Sequence, residues 1–369
     1  MNATPAQPRP ASRNPFNPAF GVAPPLLVGR DDQLRHFAKA LADGPGSPGR
    51  ATLVTGTRGT GKTVLLGAIE QAAKEAGWIA VSATARRGVA RELAADTLPA
   101  LLAKHGPKAV AGGSASPEPP DNDPAAPALG GRLASLAQIA AAQGGGVVVT
   151  LDEVNKAARE DSREIAQSVQ HAFREGLEVA FVVASLPSAA RFVTNDPAIT
   201  FLRRAERFTL GPLTVDDAAA AIAAPIAQTG RSITAEALAL AAAATRGYPF
   251  FVQLVGHQVW AADRSAAVID ADQARAGAAR AVRRARRLLH EPAMADVSRQ
   301  DRAFLTAMAA DEGSSQVSDI AARLGVTSTH VSRYRARLIA AKMIEPDGRG
   351  WLRFTIPFLG EYLRTPQAK

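Results

Sequence analysis

The segment Gly56-Thr57-Arg58-Gly59-Thr60-Gly61-Lys62-Thr63 constrains the fold of this chain more than any other. It follows a short apolar run at 51–55 and opens a stretch of helical periodicity over 62–76. Glycines in such a turn let successive backbone N–H groups converge on one point, and the N-terminus of the next helix adds partial positive charge there. The loop is therefore expected to hold the phosphates of ATP. Gly56, Thr57, Arg58, Gly59, Thr60 and Gly61 would form the cradle, Lys62 would bridge the β- and γ-phosphates, and the Thr63 hydroxyl would ligate magnesium.

A second element complements the first. The run Val147-Val148-Val149-Thr150-Leu151 reads as a buried strand, and it ends in Asp152-Glu153. Two carboxylates at the end of a buried strand are costly without a cation or polar substrate beside them. Asp152 is expected to hold magnesium, directly or through water, and Glu153 to polarise an attacking water.

Around these motifs, apolar runs at 51–55, 78–82, 147–151, 179–184 and 206–210 alternate with helical periods at 62–76, 85–105, 132–143 and 162–175. Continuous valine-rich runs suit parallel strands covered on both faces, so the alternation predicts a doubly wound α/β sheet with helices on both sides. Two low-complexity stretches, 1–25 and 106–131, are too poor in large apolar residues to order themselves and read as a flexible Pro-rich tail and a surface insertion. After Pro212 the pattern is helical only, at 214–224, 234–245, 249–264 and 271–289, which predicts a small all-α lid. The expected domains are a nucleotide-binding domain over 26–212, the lid over 213–290 and a C-terminal domain over 291–369.

In the last of these, 317–324 reads as a helix closed by Gly325, and 328–341 as a second helix after a tight turn. A two-stranded hairpin, 343–344 and 351–355, is expected to follow, so the module looks like a winged helix-turn-helix. Val331, Tyr334 and Leu338 share one helix face and should be core, which turns Thr329, Ser332, Arg333 and Arg337 outward. That outward face, with Arg349 at the hairpin tip, suits the phosphates and base edges of double-stranded DNA; winged helices also dock proteins, and both readings stay open. Arg280, Arg283, Arg284, Arg286 and Arg287 on the preceding helix read as spread around it, on a solvated linker, with a second DNA contact as the sharper alternative.

Charge bears on the choice of partner. The chain carries a formal net charge of +9, and from residue 272 onward 17 Lys and Arg stand against 10 Asp and Glu. A basic C-terminal quarter points to a polyanionic partner. With no cysteine among 369 residues, disulfides, thiolate metal sites and cysteine nucleophiles are ruled out. No export signal is legible at the N-terminus and no apolar run is long enough to span a bilayer, so a cytoplasmic protein without a membrane partner is expected.

The phosphate loop and the Asp152-Glu153 strand end together resemble the AAA+ ATPases, in the branch that includes the origin-recognition and initiator proteins; the resemblance covers residues 15 to 365. It implies ATP hydrolysis as the activity. It also places Val28 and Arg30, in Pro24-Pro25-Leu26-Leu27-Val28-Gly29-Arg30-Asp31, over the adenine. Ser185 becomes a polar sensor of the γ-phosphate or the attacking water. Arg203 and Arg204 resemble the segment that lends an arginine finger to a neighbouring copy, implying self-association. The lid departs from the pattern: where many relatives carry a second sensor arginine, this chain has Gly247-Tyr248-Pro249, with only Arg246 nearby. The Gly-x-Pro pattern is similar to that of the STAND signalling ATPases, whose lid proline lies at the nucleotide. It implies slow turnover and, as the alternative, a signalling or scaffold ATPase whose winged helix docks a protein.

Overall fold

The computed structural model describes residues 13–18, 24, 26–106, 129–295 and 297–365, and most of the expected insertion at 106–131 lies outside them. The chain divides into two compact units, one made of residues 30–56 and 62–210, the other of 1–29, 57–61 and 211–369.

The first unit contains, in order, α1 (Asp31–Ala42), β1 (Ala51–Gly56), α2 (Lys62–Glu75), β2 (Ile79–Thr84), α3 (Val89–Glu92), α4 (Leu98–His105), α5 (Leu129–Ala142), β3 (Val147–Val154), α6 (Arg159–Arg174), β4 (Val179–Ser185), α7 (Pro187–Thr194) and β5 (Glu206–Leu210). All five strands are parallel, in the order β2-β3-β4-β1-β5. Adjacent valines face opposite layers. Val148 packs with Leu65 and Ile69 of α2 and Phe37 of α1, whereas Val147 and Val149 pack with Leu133 and Leu136 of α5 and Ile165 of α6. Both faces being covered is why β3 tolerates no polar alternation until its end.

Helix 85–105, expected as one, starts later: Gly88 takes a left-handed backbone at the N-cap of α3, and a π turn at Leu93–Thr97 joins α3 to α4. Asp196, nearly fully buried, is clamped by Arg159 and Arg163, one helical turn apart on α6. The segment after β4 is held to α6 by that clamp.

The second unit holds α8 (Val215–Gln228), β6 (Ser232–Ile233), α9 (Ala235–Thr245), α10 (Pro249–Trp260), β7 (Val268–Ile269), α11 (Ala271–Ala285), α12 (Glu291–Ala295), α13 (Arg299–Ala309), β8 (Ser315–Gln316), α14 (Val317–Leu324), α15 (Ser328–Ala340), β9 (Ile344–Pro346), β10 (Trp351–Phe354) and α16 (Leu359–Arg364). Helices α8 to α11 share one core. Thr214, Thr234 and Asp270 cap α8, α9 and α11, each accepting a backbone N–H three residues on. This region is not wholly helical, because β6 and β7 form a short parallel pair. Nor is all of the expected tail loose. Phe16 is buried against Gly256, where a Cβ would stand 2.5 Å from its ring, and Asn14 donates to the His257 carbonyl at 3.0 Å. Phe16, with the hydrogen bonds of Asn14 and of the Asn17 N–H to Gln253, docks residues 13–18.

Beyond α12, a second core gathers Phe304, Ile320, Val331, Leu338 and Leu352. The hairpin is three-stranded rather than two-stranded, in the order β8-β10-β9, because Ser315–Gln316 pairs with Trp351 and Leu352. Two residues of strand carry too little periodicity to be seen in sequence.

Candidate nucleotide site

The phosphate loop owes its shape to backbone torsions that only glycine adopts without strain: Gly59 has φ +77° and Gly61 φ +88°. Thr60, buried, donates its hydroxyl to the Thr57 carbonyl at 2.8 Å and staples the loop. Lys62 opens α2, and its Nζ donates to the Gly56 carbonyl at 2.9 Å. The Thr63 hydroxyl donates to Asp152 Oδ2 at 2.6 Å. The loop and the end of β3 thus bring their oxygen donors together.

The end of β3 is irregular. Its register with β4 shifts between Leu151 and Val154, so Asp152 and Glu153 leave the ladder as a bulge. Glu153 takes φ +54°, an uncommon backbone for a non-glycine residue, held by its N–H to Asp152 Oδ1 at 2.7 Å and by Asn155 donating to its carbonyl at 2.8 Å. The carboxylate of Glu153 is left exposed. Beside it, Ser185 ends β4 in register with Thr55 of β1 and Val154 of β3. Its side chain is fully buried and its Oγ has no hydrogen-bond partner among the described residues. An orphaned buried hydroxyl is costly, and this one lies at the end of β4 next to β1, the strand that leads into the phosphate loop.

A hydroxyl and a carboxylate within hydrogen-bond distance of each other form a hard-oxygen donor pair suited to magnesium. The residues present therefore fit Mg-ATP: glycine-rich N–H cradle, Lys62, the Thr63–Asp152 pair, and an unsatisfied Ser185.

The remaining expected residues fall variously. Val28 packs against the core of α8 to α11, and Arg30 is buried; the intervening Gly29 has φ +64°, and a Cβ there would lie 2.7 Å from Asp217. Pro249 begins α10, with its Cγ 3.7 Å from where a Cβ of Gly61 would stand. Gly247 is demanded by packing, since its Cβ would meet the Leu213 carbonyl at 2.2 Å. Arg246 pairs with Glu361 and stacks on Phe358, so its charge is engaged by the C-terminal module. Arg203 donates to the Thr194 carbonyl at 2.9 Å, while Arg204 is exposed with no ion pair among the described residues.

Of the outward face expected on α15, Ser332 and Arg333 are exposed, and the side chain of Thr329 lies outside the described residues. Arg349 is exposed at the β9–β10 tip. Arg337 is exposed too, and Asp301 on α13 accepts from both its Nε and a terminal nitrogen, at 3.2 and 2.7 Å, while the guanidinium stacks on Tyr334. A long-range carboxylate partner is invisible to helical periodicity.

One feature of the site had no sequence signal. Arg58 and Gly59 of the loop line a cavity of about 290 Å³ together with Phe250, Leu289, Ile356 and Pro357. The loop thus touches the segment between β10 and α16.

Comparison with known proteins agrees with this geometry. Residues 26–183 match the family model described as AAA ATPase domain, and residues 287–363 match one described as a domain of unknown function (DUF8462). Among solved structures, the Walker-type ATPase PABY2304 of Pyrococcus abyssi is 14% identical, with 92% of this chain and 96% of that chain covered and a TM-score of 0.62. The Aeropyrum pernix ORC2 protein, solved as ADPNP–ADP complexes, is 13% identical, with 94% of each chain covered and a TM-score of 0.57. No curated protein sequence matches significantly. At such identities the likeness to the solved structures is one of fold alone, and the AAA ATPase match is confined to residues 26–183.

Proposed function

We propose that this protein binds and slowly hydrolyses ATP, and that its nucleotide state governs duplex DNA binding by a C-terminal winged helix. The observation that carries the reading is the Thr63–Asp152 contact of 2.6 Å beside the unsatisfied Ser185 hydroxyl. In the reaction, the loop N–H groups and Lys62 would bind the phosphates, while Thr63 and Asp152 would hold magnesium. Magnesium, when bound, supplies neutralisation of charge on the β- and γ-phosphates. Glu153 orients the attacking water and takes up its proton, and Ser185 positions the same water or a γ-phosphate oxygen. Arg203 or Arg204 would complete the site of a neighbouring copy.

Coupling is supported by the cavity that joins Arg58 and Gly59 to Ile356 and Pro357, since a phosphate in the cradle acts on residues next to the C-terminal helix α16. Duplex binding measured against salt, with and without ATP, tests the whole reading on wild type and an Arg333→Ala/Arg349→Ala variant. Binding that requires ATP, weakens with salt and fails in the variant is expected; salt-independent or absent binding overturns it.

One observation favours a second reading, a signalling ATPase whose winged helix docks a protein: Arg246 and Arg337 are both held by carboxylates of the same unit. An intact ATPase without duplex affinity in any nucleotide state would select it.

A further inference from the structure

Helix α11 and the turn after it carry six arginines, and their partners differ sharply. Arg286 is engaged, with Glu291 at 3.4 Å and the ring of Tyr362 beneath it. Arg275, earlier on the same helix, is held by Asp272 and Glu236. By contrast Arg280, Arg283, Arg284 and Arg287 have no carboxylate within ion-pair distance among the described residues. They are not spread around the helix. Their spacing of three, one and three residues puts them on one face, and together with Gln258 of α10 they line a single depression of about 260 Å³.

Four like charges on one helical stripe repel one another, so an uncompensated stripe costs stability unless an anion completes it. Two further basic groups adjoin it. Arg264 is exposed over the Trp260 ring, and the His257 imidazole is held below its ordinary value by burial and then by Arg284 and Arg264. From Arg280 to Arg287 the stripe runs about 10 Å along the helix axis. Each strand of duplex DNA carries one phosphate charge per about 3.4 Å of axial rise, so a stripe of four cations meets a continuous row of anions. Guanidinium groups suit phosphate oxygens through paired N–H donors.

From this charge complementarity we infer that the Arg280–Arg287 face of α11 is a second duplex-binding surface, contacting the phosphate backbone independently of sequence while α15 reads the groove. The inference rests on the duplex-binding reading above. It assigns the arginines to positioning the duplex, since phosphate contacts fix register and carry no base preference.

The test is an Arg283→Ala/Arg284→Ala/Arg287→Ala variant of the full chain. Arg280 is left in place because it donates to the Gln258 carbonyl at 3.3 Å. Binding to a duplex is measured across a salt series for this variant, wild type and Arg333→Ala. Each phosphate contact contributes about 0.9 to the slope of log affinity against log salt, so the triple variant should lower it by about 2 to 3. The corresponding triple Lys variant, which keeps the charge, should retain the wild-type slope. A triple Ala slope equal to wild type, while Arg333→Ala weakens binding, overturns this inference and leaves the winged-helix reading standing. Loss of binding to phosphatidylserine vesicles with unchanged duplex affinity would reassign the face to a lipid surface and overturn it too. Wild type that binds no duplex even at low salt sinks both readings together.

Discussion

Glu153 combines a strained backbone with an exposed carboxylate, and substitution separates the two contributions. At φ +54° a side chain with a Cβ pays roughly 1–2 kcal/mol that glycine does not. Glycine loses more freedom on folding, by about 0.5–1 kcal/mol. Glu153→Gly is therefore expected to exceed Glu153→Ala in stability by about 0.5–1 kcal/mol. Glu153→Gln keeps the backbone and its cost and should unfold like wild type. All three remove the proposed base, so ATP turnover should fall by roughly 10²- to 10⁴-fold while ATP affinity is kept. The measurements are steady-state phosphate release, nucleotide titration and equilibrium unfolding. Wild-type turnover in Glu153→Gln would refute the assignment of the base, and a Gly variant no more stable than the Ala variant would refute the strain.

Other consequences are as direct. Lys62→Ala removes a charged donor to the phosphates, and ATP should bind roughly 10- to 100-fold more weakly by calorimetric titration, with Asp152→Asn losing its magnesium dependence instead. The Glu345 side chain is fully buried, with one oxygen on Arg353 at 2.7 Å and the other unsatisfied, so Arg353→Met should cost about 3–5 kcal/mol in urea unfolding; a change near zero would mean that Glu345 does not depend on Arg353. Burial holds the His290 imidazole below its ordinary value, against the opposing hydrogen bond it donates to the Pro357 carbonyl at 2.8 Å. The unfolded chain then binds more protons than the native one as pH falls below about 6.5, so stability is complete above that pH and is lost on acidification. His290→Gln should flatten the pH dependence of the melting temperature between about pH 7 and 5, and an unaltered profile would place the titration elsewhere.

Much of the nucleotide site was legible in one dimension because its parts are local. The strand–loop–helix around Gly56–Thr63 and the apolar run ending at Asp152 each need only a few consecutive residues, and valine runs flanked by helical periods imply parallel strands with two covered faces. Sequence alone thus determined the parallel sheet, the strand–loop–helix of the phosphate loop and the acid pair at the end of β3. Tertiary structure decided what depends on partners far along the chain. It docked Phe16 on Gly256, tied Arg337 to Asp301 and Arg246 to Glu361, added the third strand of the C-terminal sheet, and set the bulge that gives Glu153 its left-handed backbone. It also turned four arginines that read as scattered into one stripe facing Gln258. Propensity and periodicity report a residue's neighbours within a turn or two, whereas a guanidinium's role is set by whichever carboxylate, carbonyl or open surface the fold brings to its end.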